Sequence, residues 1–498
     1  MSERFDAVVV GSGAGGGVVA GELAQHGRRV LLLEIGPHRT AADFTRWEAR
    51  ASHDLWWPLR MAIPTDGAEP IALFGGRCVG GTTTINTKIA MRADECDLEK
   101  WHAASGLLGA RGEPFEVADL EPHYDHVEQV LGVRERSDWT RSVHTVEPGF
   151  RALDAELEPV RSYTDHNCMR CGSCLQGCPT NAGKSTMVSW IHPACDTGRL
   201  ELRPNSAVRR VLISDRGAGP EVTGVEYVDA GGDAHAVEAG AVVVAAGTLN
   251  TPQLLVRSGV PEASGDSPSS RLIGRNLGFH PARLVSGLFD EPQDNYIAYP
   301  VSSHCKKFQR DEDGGFIVEA TTVQDPIGFA TGLCDDGGPL WGAPLVEALR
   351  KYRYFAGLLV MTTDDNNGSV VAEEDGGERF EADLRPDELE RIDRSLQFTR
   401  EVLEAAGAKQ VLWTAPGSTH MQGTCRMGTD PARSVVDANC ESHDVKRLFV
   451  GDGSLVPKTL SVNPSLTMMA LANRLAEHLD ADPNGYLEPR AAGVVVGG

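Results

Sequence analysis

The opening of the chain constrains its fold more than any other stretch. Phe5–Val10 is apolar and rich in β-favouring residues, and Gly11-Ser12-Gly13-Ala14-Gly15-Gly16 follows at once. Val18, Val19, Leu23 and Ala24 then supply the buried face of a helix that stops near His26-Gly27. Val30–Leu33 is a second strand, and it ends in Glu34. This is a βαβ unit carrying G-x-G-x-x-G at Gly11, Gly13 and Gly16. The first Gly permits the tight turn, and the second lets backbone N–H groups approach a pyrophosphate at the helix N-terminus. The third allows close helix–strand packing. Glu34 is placed to hydrogen-bond a ribose hydroxyl and disfavours a ribose phosphate. Strand, helix, second strand and acid together read as a dinucleotide site, which the motif alone does not divide between FAD and NAD.

Later segments extend this core. Residues 70–92 are Gly-rich and residues 163–183 Cys-rich; Val242–Ala246 is another apolar strand, ending in Gly247. Phe449–Gly453 reads as a short strand that ends in Gly451-Asp452-Gly453. Residues 282–410 carry no such fingerprint and contain scattered strand-like runs such as Tyr354–Thr362. Phosphate- and ribose-binding signals thus lie at both ends of the chain. One α/β domain is expected from discontinuous pieces, 1–281 and 413–498, with a cap and Cys-rich loop inserted around 93–195. The segment 282–412 should cover the cofactor as a substrate domain. Asp364–Gly368 reads as a polar turn, and the tail Ala491–Gly498 as frayed.

Composition excludes several function classes. The 498 residues give a prior of about three domains, and 41% hydrophobic residues suffice for a large core. A net charge of −23 argues against nucleic acid, whose binders need clustered Lys and Arg, and disfavours anionic membranes. It mildly favours neutral or cationic substrates, although solubility alone explains it. The start of the chain has no signal-peptide pattern, and no apolar run is long enough for a transmembrane helix. Eleven Cys do not read as a disulfide framework. A cytoplasmic protein is expected.

Three segments favour FAD over NAD and add chemistry. A carboxylate at Asp452, beside Gly453, could accept hydrogen bonds from a ribityl chain, which NAD lacks. Gly75-Gly76-Arg77-Cys78-Val79-Gly80-Gly81 before Thr82–Asn86 is a backbone-rich loop suited to a flat ring and its phosphates. Near the end, GSTHMQGTCRMG (417–428) is followed by SVNPSLT (461–467), which brings forward His420 and Asn463. An imidazole can take an O–H proton near neutral pH, and an amide can hydrogen-bond the same oxygen. That pair, beside a redox cofactor, suits the oxidation of an alcohol.

The chain resembles the glucose–methanol–choline (GMC) oxidoreductase family. The residues that carry the resemblance are GSGAGGGVVAGELA (11–24) with Glu34, GGRCVGGTTTIN (75–86), VVVAAGTLNTPQLLVRSG (242–259) and GRNLGFHP (274–281). They continue with HMQGTCRMG (420–428), VGDGSLVP (450–457) and NPSLTMMALANRLAEHL (463–479). The resemblance implies a Rossmann-like FAD domain with noncovalent FAD and an α+β substrate domain built on an antiparallel sheet. It also implies hydride transfer from an alcohol carbon to the flavin, with His420 as base and Asn463 at the family's second His-or-Asn position. Expected cofactor contacts are Gly11, Gly13, Ala14, Gly15, Gly16, Glu34, Gly80, Gly81, Asn86, Val208, Ala246, Gly247, Asp452, Gly453, Pro464 and Thr467. Reoxidation would be by O2 or another electron acceptor. A lyase or isomerase using His420 without net redox is the alternative, and an NAD-dependent dehydrogenase a third class.

Cys168, Cys171, Cys174 and Cys178-Pro179 follow C-x2-C-x2-C-x3-C-P, the spacing of bacterial ferredoxins, with Cys195 as a spare ligand. A similar Cys-rich segment occurs in the long-chain alcohol oxidase branch of the family. An iron–sulfur cluster there is weighed against reduced, packed thiols, and the absence of a second Cys triplet favours the thiols. Trp56-Trp57 could line an apolar pocket, but core packing is the preferred reading.

Overall fold

The structure is a computed structural model that describes residues 3–64, 67–215, 217, 219–321, 326–372 and 377–487. The tail expected to fray lies outside the described residues. The elements that build the site are, in chain order, β1 (Arg4–Val10), α1 (Gly16–Gln25), β2 (Val30–Leu33), β3 (Arg60–Pro64), β4 (Ile71–Leu73) and β5 (Leu200–Arg203). There follow β6 (Ala207–Asp215), β7 (Pro220–Val228), β8 (Ala234–Val244), β9 (Ala282–Leu288), β10 (Val301–Cys305), β11 (Phe316–Thr321) and β12 (Phe355–Thr362). The last are β13 (Glu378–Ala382), α2 (Pro386–Ala405), β14 (Gln410–Thr414), β15 (Gly417–Ser418), β16 (Leu448–Val450) and α3 (Ser465–Ala481).

The first sheet runs β5-β2-β1-β8, all parallel, with Val8 set between Leu31 and Val242. β16 joins the far side of β8 in parallel, so the chain returns to this sheet after some two hundred residues. The four residues of β2 are buried without alternation, as befits a strand covered on both faces. α1 and α3 pack together over this sheet. The lower half of β8 leaves the parallel core and pairs antiparallel with β7, which pairs with β6.

The second sheet is mostly antiparallel. β9 lies between β12 and β14, and β12 pairs on its other side with β11, which pairs with β10. Strand alternation sorts the side chains of β11. Phe316, Val318 and Ala320 join a core with Val402 and Leu403 of α2 and Val143, Val146 and Phe150 of the helix Arg141–Ala152. Ile317, Glu319 and Thr321 take the opposite face, which is turned toward the first sheet.

The ranges drawn from the sequence do not coincide with the sheets. β3 pairs with β13 (Ala62 opposite Phe380) and β4 with β15 (Ala72 opposite Gly417), so the N-terminal range contributes to the second sheet. The strand Glu158–Ser162 joins β10 in the same way. These strands are short and lie among Pro, Trp and charged residues, which hid their period. No helix among the described residues is long and apolar enough to cross a membrane.

Candidate active site

A cavity of about 910 Å³ lies between the two sheets. Its floor is Gly11–Gly15, Leu33-Glu34, Ala245–Asn250 and Asp452-Gly453, and its roof is Leu284, Glu319, Thr321, Leu359 and Met361. The glycine loop fits a pyrophosphate. A Cβ added to Gly13 meets nothing within 4 Å, whereas one on Gly15 would sit 1.6 Å from the Gly451 carbonyl oxygen. Gly15 is therefore needed by the protein's own packing, and Gly13 keeps space open beside the backbone. α1 begins here with no side-chain cap and no acid in its first turn, so its N–H groups and positive dipole end are available to an anion.

Glu34 is buried, and burial raises its pKa. Its Oε2 accepts from Ser12 N (3.0 Å) and Ser12 Oγ (2.6 Å), and its Oε1 from Gly36 N (2.8 Å). One acceptor position on Oε1 is left for a ribose hydroxyl. Asp452 differs from the expectation. Its Oδ2 accepts from Gly247 N (2.8 Å) and Thr251 Oγ1 (2.5 Å), and its Oδ1 from Ser454 N (2.8 Å) and Ser454 Oγ (2.6 Å). Four donors fill a carboxylate, so this side chain holds the turn in place instead of offering itself to a ribityl chain.

Gly11, Gly13, Ala14, Gly15, Gly81, Asn86, Val208, Ala246, Gly247, Gly453 and Pro464 line the cavity with Glu34 and Asp452. Three expected contacts do not. Gly16 packs under the loop, where a Cβ would lie 2.0 Å from the Gly11 carbonyl oxygen. Gly80 donates its N–H to Ser12 Oγ at 3.0 Å, and Thr467 Oγ1 bonds Tyr124 Oη at 2.8 Å. Trp56 and Trp57 do line the cavity, and Trp56 also packs, as expected, against the small core of Ala51, Leu55, Cys78 and Ile85. Polar attachments hold them at its wall: Trp56 Nε1 donates to the Leu175 carbonyl (3.2 Å), and the Arg60 guanidinium lies 4.4 Å over the Trp57 ring.

His420 and Asn463 line the same cavity. His420 follows β15, and its N–H donates to Ser418 Oγ at 3.1 Å. Its Nδ1 lies 3.1 Å from His280 Nδ1, a residue that sequence reading left without a role. Burial holds the His420 pKa down at about 4, so the ring is neutral at neutral pH. It is half-buried, and its exposed side faces the cavity. His280 is more deeply buried, and its pKa is held well below the ordinary value by burial and by His420. Its backbone is left-handed (φ 52°), and Asp364 clamps the strained turn by accepting from Phe279 N (2.9 Å) and His280 N (3.0 Å). Asp364 thus has a positioning task, where the sequence suggested only a polar turn. Asn463 stands just before α3, buried, and its Oδ1 has no hydrogen-bond partner among the described residues.

Glu319 was also missed. It is wholly buried on β11, lines the cavity, and neither carboxylate oxygen has a hydrogen-bond partner among the described residues. Burial pushes its pKa up to about 8, with the neighbouring Asn463 amide acting in the opposite direction. Only the pairing of β11 with its neighbours reveals where this side chain goes.

The ferredoxin-like spacing is not matched by a metal cradle. Among the described residues no group of three or more His, Cys, Asp or Glu is arranged to hold a metal ion. All eleven cysteines are free. Cys174 lies on a one-turn helix (Ser173–Gln176) and is buried, which pushes its thiol up to about 12. Burial likewise raises Cys168. Burial also acts on Cys178, but the Gly183 N–H at 3.2 Å, Thr180 and the Lys88 ammonium outweigh it and lower its pKa. The loop reads as packed thiols around the buried Lys88, while the adjacent Leu175 and Gln176 reach the cavity.

Comparisons with known proteins give the family and the fold. The family model described as GMC oxidoreductase matches residues 5–282, and the corresponding C-terminal model matches residues 369–472. The long-chain-alcohol oxidase FAO4B of Arabidopsis thaliana is 28% identical over 94% of this chain, which spans 66% of that relative's length. An uncharacterized GMC-type oxidoreductase of Sinorhizobium fredii is 29% identical over 95% of this chain and 94% of its own. The crystal structure of pyridoxine 4-oxidase from Mesorbium loti superposes with a TM-score of 0.73 at 21% identity, covering 95% of this chain and 99% of that one, a likeness of fold. Fold and site together define an FAD-dependent oxidoreductase acting on CH–OH groups. The chain belongs to the GMC oxidoreductase family.

Proposed function

We propose that the enzyme oxidises an alcohol to an aldehyde or ketone, with His420 taking the hydroxyl proton and Asn463 holding the hydroxyl oxygen. The observation that carries this reading is the 3.1 Å contact between the two Nδ1 atoms of His420 and His280 inside the cavity. One of the two must donate. If His420 Nδ1–H donates, its Nε2 lone pair is free to accept a proton from a substrate hydroxyl. The low pKa keeps that lone pair available at neutral pH. Asn463 has polar capacity to spare, since its Oδ1 has no protein partner among the described residues. Bound FAD supplies the two-electron acceptor for the carbinol C–H.

The first sheet is then the FAD-binding part and the second sheet the substrate side. Cofactor contacts would come from the open glycine loop, Glu34, Gly81, Asn86, Val208 and the backbone around Ala246-Gly247 and Asp452-Gly453. The oxidase names of the relatives favour O2 as the final acceptor. The test is anaerobic mixing of FAD-loaded enzyme with a panel of alcohols, following the flavin's visible absorbance. Bleaching with stoichiometric carbonyl product is expected. Product formed while the flavin stays oxidised would point instead to a lyase or isomerase.

A further inference from the structure

We propose that Glu319 is a positioning residue for Asn463: its carboxyl O–H donates to Asn463 Oδ1 and turns the amide N–H groups toward the substrate oxygen. This inference rests on the alcohol-oxidation reading above and adds a pH-dependent control to the same site. Its basis is a set of buried oxygens that lack a donor. Glu319 and Asn463 are both buried and both line the cavity. Asn463 Oδ1 and the two carboxyl oxygens of Glu319 have no hydrogen-bond donor among the described residues. Asn463 is also the side chain that meets this carboxyl. A carboxylate offers acceptors only, whereas a carboxylic acid adds one O–H donor. One proton on Glu319 therefore supplies the bond that both side chains lack. The amide can meet the carboxyl in two ways, related by a half-turn about its last side-chain bond. With nitrogen toward a carboxylate, Oδ1 is left to face the substrate. With Oδ1 toward a carboxylic acid, the N–H donors face it instead. Negative charge builds on the substrate oxygen as His420 takes the hydroxyl proton. N–H donors stabilise that charge, and a carbonyl oxygen opposes it.

The surroundings keep the proton on Glu319. Leu359 lies opposite on β12, and His304 lies opposite on β10. Burial holds His304 down at about 4, so it is neutral at neutral pH. Beyond it, Glu158 stands 3.6 Å from His304 Nε2, and the Lys306 ammonium pairs with Glu158 at 3.2 Å. His280 and His420, elsewhere in the cavity, are likewise held low and neutral. The cavity's arginines are engaged elsewhere: Arg60 bonds Glu378 (2.9 Å) and Asn250 (2.9 Å), and Arg257 also interacts with Glu378. Among the described residues no cation offsets a charge on Glu319, and burial pushes its pKa up to about 8. The O–H is thus present at neutral pH and is lost as pH rises through that value.

The experiment compares FAD-loaded wild type with Glu319→Gln, Glu319→Leu and Asn463→Ala. Infrared difference spectra taken on either side of about pH 8 read the carboxyl directly. Wild type should lose an un-ionised carboxyl C=O band across this range. Glu319→Gln should lack the band, and in Asn463→Ala the band should shift because its hydrogen-bond partner is gone. Anaerobic flavin reduction by butan-1-ol and the other alcohols of the panel reads the consequence for the reaction. The limiting rate of wild type should fall roughly three- to tenfold above that pH, the usual worth of one neutral hydrogen bond, with little change in the half-saturating alcohol concentration. Glu319→Leu should show the lowered rate at every pH. Glu319→Gln, whose amide N–H still donates to Oδ1, should restore the rate and remove the fall. A carboxyl band that ignores Asn463→Ala, or an alkaline fall that persists in Glu319→Gln, overturns the proposal. If Glu319→Leu fails to fold, the profiles of wild type and Glu319→Gln still decide. If the band titrates and responds to Asn463→Ala, yet no alcohol bleaches the flavin, the Glu319–Asn463 contact stands and the alcohol-oxidation reading falls.

Discussion

His420 does its proposed work as a neutral ring, and its environment makes it so. Burial depresses its pKa to about 4, so protonation removes the base only in strongly acidic solution. The sign is plain: the competent form exists above that pKa and is lost as pH falls through it. The rate of anaerobic flavin reduction should therefore stay flat from neutrality down to about pH 5, with no break near the ordinary histidine value of about 6.5. An acid limb centred near that ordinary value would show that the ring is not enclosed as described. His420→Ala should keep bound FAD and lose roughly 10²–10⁴-fold in flavin reduction, the usual worth of a positioned acid–base group. Unchanged reduction at saturating alcohol would remove His420 from the base role. At this scale His420 and Asn463 were legible because each sits within a contiguous, unusual motif. His280, Glu319 and Asp364 were not. The first stands beside His420 through a contact between residues far apart in the chain, the second faces the cavity through strand register, and the third acts on the turn before β9, the strand paired with the one it follows.

At the scale of elements, the β1–α1 loop separates two tasks that its glycines share. Gly15 has the Gly451 carbonyl where a Cβ would go, and Gly13 has open space. Gly15→Ala should thus strain the contact between the loop and the strand end after β16 and destabilise the fold by about 1–3 kcal/mol, the usual range for overpacking. Gly13→Ala should leave the melting temperature of the FAD-free protein almost unchanged and weaken FAD binding at least tenfold by obstructing the pyrophosphate. Melting curves of the FAD-free variants and fluorescence titration with FAD read the two effects separately. Equal losses of stability would contradict this division. The loop was readable from sequence because its whole geometry is local, from strand to helix. The Cys loop has an equally clear spacing, yet its thiols are placed by tertiary packing around Lys88, and spacing says nothing about that. Iron and acid-labile sulfide assays on anaerobically purified protein should find neither in stoichiometric amount. About four irons per chain would show that these thiols do converge on a cluster.

Across the whole molecule, the two sheets are tied by chain crossings as well as by the cavity. β3 and β4 lie between β2 and β5 in the chain but pair with β13 and β15 of the second sheet. β16 brings the chain back to the first sheet after the second is complete. Residues 282–412, which looked separable in sequence, therefore lack strands that their sheet uses. The cavity is walled by both sheets, from Gly13 and Glu34 on one side to Leu284 and Met361 on the other. A cofactor bound there should stabilise both sheets together. Free FAD at a hundredfold excess over its dissociation constant would add about 2.7 kcal/mol to the folded state. Thermal unfolding followed by calorimetry should then show one cooperative transition with and without FAD, the FAD-loaded one at higher temperature. Two transitions, of which FAD shifts only one, would mean that the sheets unfold independently and that the strand crossings at β3 and β4 do not couple them.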